Sequence, residues 1–448
     1  MTKIKSQGIS LPDNLDLKVH SVVRPPTWRQ EPYTLSYIMV GREVNPAELL
    51  KVLRWGVAEN LPNPRVITPI LISWSSLFHP RFYKSVHKNC PTQVHAIEWI
   101  DKSLPLDFHQ LSRLWLQSVL FLSGVTLSAA IIQQRFSSGT IGSKLDRLWD
   151  AGKLSQACVA PELVSLNLCD QVSTIAANHV ANCEQDALVQ LLKIRELFMG
   201  ALALIAPTNG TVAIMRKSTT ERYPDGRFNF VDSLHSQLGD SLQAIVVYGS
   251  SVSGSQFADI DAVLIVEDPV AVLKQLAGAT PLWLGKELNL GIYSPAEFLI
   301  MQRLSGDNLP EYGLCIWGEV EVISKPVAHL LARNFSFGVI RQRQQLGMLA
   351  REIATNGTTT DDRKNLYEYF VKIPANVTKG TFGAVGRRLP KEQVHDWLRS
   401  SIGFDTPSSQ NQVSSGDTAG ALAISSLATG WALTMLNTKL NVVRRVSD

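Results

Sequence analysis

Asp259 and Asp261 stand two residues apart in the run DIDAVLIV, residues 259–266. In a strand, alternate side chains share a face, so the two carboxylates lie side by side. Like charges at that separation repel, and the arrangement makes sense mainly where something cationic sits between them. Ten residues before Asp259, another apolar run, AIVVY, ends in Gly249-Ser250, and a loop of mostly small residues links the two runs. Paired carboxylates hold hard divalent cations, and a glycine-containing turn lets backbone N–H groups approach a phosphate.

The surrounding elements are legible from local pattern. RFNFVDSLHSQLGD (227–240) reads as a helix, and AIVVYGS, DIDAVLIVE and ELNLGIYS read as three apolar strands. SPAEFLIMQRL starts a helix at Ser294, with Pro295 at the first helical position and Glu297 completing a capping box.

An apolar strand, Gly-Ser, a short loop and Asp-x-Asp on the next strand resemble the nucleotidyltransferase superfamily, of the DNA polymerase beta-like fold. The resemblance covers roughly residues 230–325. It implies that Asp259 and Asp261 bind Mg²⁺ and are catalytic, and that Gly249, Ser250 and Ser251 line the site for a nucleoside triphosphate. Nucleotidyl transfer builds charge on the entering and leaving oxygens at the α-phosphorus, and metal ions held by paired carboxylates offset it. Members often carry a third acid on a later strand. By alignment on Tyr293 and Ser294 that position holds Asn289, with Glu287 on the same face two residues earlier. An absent third acid suits a binding-only domain or an acceptor that needs no base, as an ionised phosphate monoester does.

A narrower resemblance follows. IDAVLIVEDPVA (260–271), NLGIYS (289–294), IWGEVEVISKPV (316–327) and VTKGTFGAVGRR (377–388) are similar, in order, to segments of the mitochondrial translocator assembly and maintenance family of phosphatidate cytidylyltransferases. This implies a Gly-containing turn at Gly318 and phosphate contacts from Lys379, Arg387 and Arg388. The stretch between Pro269 and Trp283 is shorter than in that family, its His-Tyr-Ser segment is missing, and Ser251 stands where the family has Gly.

The 448 residues imply more than one core. The expected fold is α/β: an α-rich N-terminal domain over 1–215, a nucleotidyltransferase domain with a short mixed sheet over 220–325, and a basic helical C-terminal domain over 326–448. A polar, mobile linker is expected at 406–420. Residues 327–399 carry twelve Lys or Arg against six acids. A net charge of +4 permits an anionic partner without demanding one. The five cysteines form no CxxC pair, which fits a reducing compartment. The first residues carry no apolar run, so no signal peptide is expected there, and the placement is cytoplasmic with peripheral membrane contact. Two uncharged runs, Leu114–Ile132 and Ala419–Asn437, hint at a membrane surface; the first reads as a buried or surface-lying helix. SSGTIGSKLDRLWDAGKL (137–154) has the composition of a phosphate loop without its spacing and reads as a loop and helix start. His79, His87 and His95 read as structural residues rather than metal ligands.

The expected activity is Mg²⁺-dependent transfer of a nucleoside monophosphate from an NTP, with CTP and phosphatidate as the best-matching pair, giving CDP-diacylglycerol. The alternatives are nucleotidylation of a protein or RNA, as minimal nucleotidyltransferases of toxin and defence systems perform, and an inactive NTP-binding scaffold.

Overall fold

The structure, a computed structural model, describes residues 15–24, 33–71, 108–134, 138–156, 160–181, 184–208, 210–221, 223–253, 257–279, 281–305, 309–324, 328–355 and 370–440. His79, His87, His95, Gly254 to Gln256 and the Lys-Pro-Val at 325–327 lie outside them. The chain is a mixed α/β protein with small sheets, divided into two compact units. One comprises Met1–Trp115 with Leu331–Asp448; the other is Leu116–Leu330. The boundaries therefore fall at 115/116 and 330/331, where the sequence reading draws them near 215 and 325.

In the first unit, β1 (Leu17–Arg24) pairs antiparallel with β2 (Tyr33–Val40), and β2 pairs parallel with β3 (Pro64–Ile67). β2 falls in EPYTLSYIMV (31–40), the stretch that reads as an extended start to an otherwise α-rich region, and it is the middle strand of a three-stranded sheet. Its crossover helix, Pro46–Ala58, begins with a capping box: Asn45 Oδ1 accepts from Glu48 N, and Glu48 Oε2 accepts from Asn45 N. Gly56 lets this helix close on the sheet, since a Cβ there would stand 2.6 Å from Ile38 Cδ1. Ile38, Leu49, Leu53 and Val66 share one core with Leu346 and Leu349 of the helix Ala328–Thr355 and with Leu422 of the helix Thr418–Leu440. Sequence-distant ends therefore supply one hydrophobic interior.

Residues 406–420 are not a mobile linker. Thr406–Ser415 is a helix, capped by the Asp405 carboxylate accepting from Ser408 N, with Pro407 in its first turn. Val413 is buried in the shared core, and the chain re-enters a helix at Thr418. Serine-rich composition suggested a linker, but a cap, an N-terminal proline and one well-placed valine suffice for a helix.

The second unit carries a six-stranded sheet in the order β4-β9-β5-β6-β8-β7. Its strands are β4 (Val212–Arg216), β5 (Leu242–Tyr248), β6 (Asp259–Val266), β7 (Leu282–Trp283), β8 (Lys286–Tyr293) and β9 (Leu314–Ile323). β5 runs antiparallel to β6 and β9, whereas β6 and β8 are parallel, joined through the helix Pro269–Leu276. The sheet is therefore mixed, and the apolar runs of β5 and β6 are buried, as their composition requires. Gly318, expected in a turn, instead lies inside β9, at φ 65°, where the strand passes from β5 to β4. A Cβ there would fall on the Gln243 carbonyl oxygen, so this bulge admits only glycine.

Helices in this unit include Ser138–Gln156, continuous through the segment read as a loop and helix start, and Glu184–Ile205. Two helices, Ser112–Ile132 and Thr418–Leu440, are long and apolar enough to cross a membrane. In both, 72% of the apolar window is buried, and several polar groups on or against these helices are hydrogen-bonded within the protein. Gln117 Nε2 donates to the Ile205 carbonyl at 2.7 Å, and Lys144 Nζ donates to the Ser123 carbonyl at 2.9 Å. Gln345 Nε2 donates to Ser425 Oγ at 2.7 Å. That is the pattern of core helices.

Candidate functional site

The parallel pairing of β6 and β8 sets Asp259 beside Glu287 and Asp261 beside Asn289, so four polar side chains share one face at one end of the sheet. The antiparallel pairing of β5 and β6 brings Tyr248 opposite Asp261 and delivers Gly249 to the same end. The sequence-derived set Gly249, Asp259 and Asp261 is thus assembled by strand register alone. Both aspartates are half-buried, open enough for a ligand to reach them.

What lies between the carboxylates is the Asn289 side chain. Its Nδ2 donates to Asp259 Oδ2 at 3.0 Å and to Asp261 Oδ1 at 3.2 Å. An amide carries no net charge, so it orients the pair and offsets part of the repulsion without neutralising it. Glu287 is turned to another partner: it is exposed, and its Oε1 accepts from Gln133 Nε2 at 2.6 Å.

Gly249 sits at φ 80°, and a Cβ on it would meet Asp261 Oδ2 at 2.8 Å. Both facts exclude a larger residue: the left-handed backbone strains it, and the carboxylate stands in its place. Gly249→Ala is expected to cost about 1–2 kcal/mol of stability. A denaturation series checks this.

The loop after Gly249 forms a single turn, Ser250–Ser253, with Val252 N and Ser253 N donating to the Gly249 carbonyl. Ser250 is exposed. Ser251 is fully buried, its hydroxyl turned inward to the Tyr248 carbonyl at 3.2 Å, so it braces the turn from beneath. Lys379 is exposed on the helix Ile373–Ala384, and Arg387 and Arg388 are exposed just after it; all three belong to the first unit.

A set of residues absent from the sequence reading grips this turn. Arg227, almost fully buried, donates from Nη1 to the Ser251 carbonyl at 2.9 Å, and its guanidinium lies over the rings of Phe257 and Tyr223. Tyr223 Oη donates to the Val252 carbonyl at 2.9 Å. Arg227 is held in turn by Asp225, and hydrogen bonds from Arg227 keep that carboxyl below its ordinary pKa. Trp283 Nε1 donates to the Gly226 carbonyl at 2.9 Å, tying the Asp225-Gly226-Arg227 bend to β7. The only local signal was the Asp-Gly turn between aromatic residues; the contact itself spans 24 positions in sequence.

Among the described residues no group of three or more His, Cys, Asp and Glu side chains converges on one point. A cation bound here would take two carboxylates and complete its shell from carboxamide, phosphate and water oxygens. Such an all-oxygen set fits Mg²⁺, which keeps several waters and shares phosphate ligands.

No protein-family model, curated protein or solved structure matches this chain.

Proposed function

We propose that the second unit is a nucleotidyltransferase and that Asp259 and Asp261 hold Mg²⁺ for transfer of a nucleoside monophosphate from an NTP. The supporting observation is that β6 lays both carboxylates on one face beside a turn whose glycine Cα leaves room against Asp261. When bound, Mg²⁺ supplies positive charge against the charge that builds on the transferring phosphate. Gly249 leaves space for phosphate oxygens, Ser250 offers an exposed hydroxyl to them, and Arg227 with Tyr223 fixes the turn that presents both.

Asn289 carries no basic group, and Glu287 is engaged by Gln133. An acceptor that is already ionised suits this arrangement, and phosphatidate, a phosphate monoester, is ionised near neutral pH. Its phosphate oxygen would form a bond to the α-phosphorus of CTP while the bond to the bridging oxygen of the β-phosphate breaks. CDP-diacylglycerol and pyrophosphate result.

The test incubates the full chain with each α-³²P-labelled NTP, Mg²⁺ and phosphatidate vesicles. Label extracted into lipid from CTP alone is the expected result. Label on protein or RNA, or none on any acceptor, overturns the lipid acceptor.

A further inference from the structure

The Asn289 carboxamide lies within hydrogen-bond reach of both carboxylates, with its donor end toward them. Its orientation is chemically forced. Turned the other way, Oδ1 would face two carboxylate oxygens with no proton between them. The two ends of a carboxamide have nearly the same size and shape, so a half-turn about its terminal bond exchanges donor for acceptor at almost no steric cost. What decides the orientation is therefore the charge between Asp259 and Asp261.

We infer that Asn289 is a two-faced ligand of this site. Its Nδ2 links the carboxylates when no cation is between them, and its Oδ1 turns to a divalent cation when one enters. The inference rests on the proposed Mg²⁺ site and adds a third protein oxygen to it, supplied by a residue in the place where an acid is expected.

Two physical consequences separate this role from a merely structural one. An acid at position 289 would set three carboxylates on adjacent strand positions, so the metal-free protein would be strained by repulsion that a cation relieves. An alanine would leave the carboxylates unlinked and remove one oxygen ligand, weakening cation binding without changing its charge.

The experiment uses the full chain and Mn²⁺ as the probe, read by calorimetric titration and by thermal midpoint with and without the metal. Asn289→Ala is expected to weaken Mn²⁺ binding on the order of tenfold. Asn289→Asp is expected to melt below wild type without metal, to bind Mn²⁺ more tightly, and to recover its midpoint when Mn²⁺ is added. Mn²⁺ affinity of Asn289→Ala within twofold of wild type overturns the inference. So does an Asn289→Asp midpoint equally depressed with and without Mn²⁺, since that marks a structural role only. Asp261→Asn separates the two levels: wild-type binding lost in this variant supports the metal site whatever Asn289 does. Wild-type binding that Asp261→Asn leaves unchanged, or no wild-type binding at all, overturns the site and the inference together.

Discussion

As the proposed nucleotidyltransferase, the second unit should lose about a thousandfold or more in turnover on Asp261→Asn, with its fold intact. The substitution keeps the shape and one acceptor oxygen, turns the other oxygen into an N–H₂ donor, and removes one of two negative charges. At the proposed Mg²⁺ site, exchanging a charged oxygen ligand for a neutral one takes away several kcal/mol of transition-state stabilisation, and each 1.4 kcal/mol is a factor of ten in rate. In the metal-free protein the same change removes like-charge repulsion against Asp259, so the thermal midpoint should hold or rise. A paired measurement of kcat and midpoint checks this. Equal losses in both would mean that Asp261 serves the fold rather than the chemistry. Opposite movement is the mark of a functional charge that costs stability.

The second large effect is predicted toward the other end of β8. Arg195, on the helix Glu184–Ile205, is almost fully buried and makes a two-pronged ion pair with Glu297 at 3.0 and 2.7 Å. Its Nη2 also donates to the Ile292 carbonyl at 3.0 Å, at the end of β8. Glu297 Oε2 accepts from Ser294 N, so one carboxylate closes the capping box and anchors the arginine at once. Arg195→Ala leaves Glu297 and the Ile292 carbonyl without this partner. The expected cost is about 3 kcal/mol, the lower end for a broken buried pair, because Glu297 is partly solvated. Hydrogen exchange across 286–305 should lose roughly a hundredfold in protection, while peptides of the first unit stay unchanged. Arg195→Met with Glu297→Gln should recover part of the loss, since no unpaired charge remains.

Local signals carried the sequence reading where they existed. The strands β5, β6 and β8 stood out because buried apolar runs bounded by Gly and Ser leave little choice, and the Ser294–Glu297 box needed only four consecutive residues. The pair Asp259 and Asp261 was legible because strand geometry fixes i and i+2 on one face. The partner of that pair was not: Asn289 was noticed as a missing acid, whereas its contact with both aspartates depends on the parallel register of β6 and β8. Arg227 was invisible for the same reason, since its grip on the Ser251 carbonyl is a tertiary contact. The helix Thr406–Ser415 was hidden by composition, although Asp405 and Pro407 marked its start. Gly318 was recognised as a special position and assigned to a turn, because a glycine alone does not distinguish a turn from a bulge.

The core that joins Ile38 and Leu49 to Leu346 and Leu422 has a consequence for how the protein is made. At roughly 5–20 residues per second, the ribosome needs tens of seconds between releasing β3 and completing the helix that covers it. The second unit, continuous in sequence, can collapse during that interval, while β1, β2 and their crossover helix wait with an uncovered apolar face. The nascent N-terminal segment is therefore the part of the chain most exposed to off-pathway association during synthesis. A stalled or truncated chain would present a finished central unit attached to an aggregation-prone sheet.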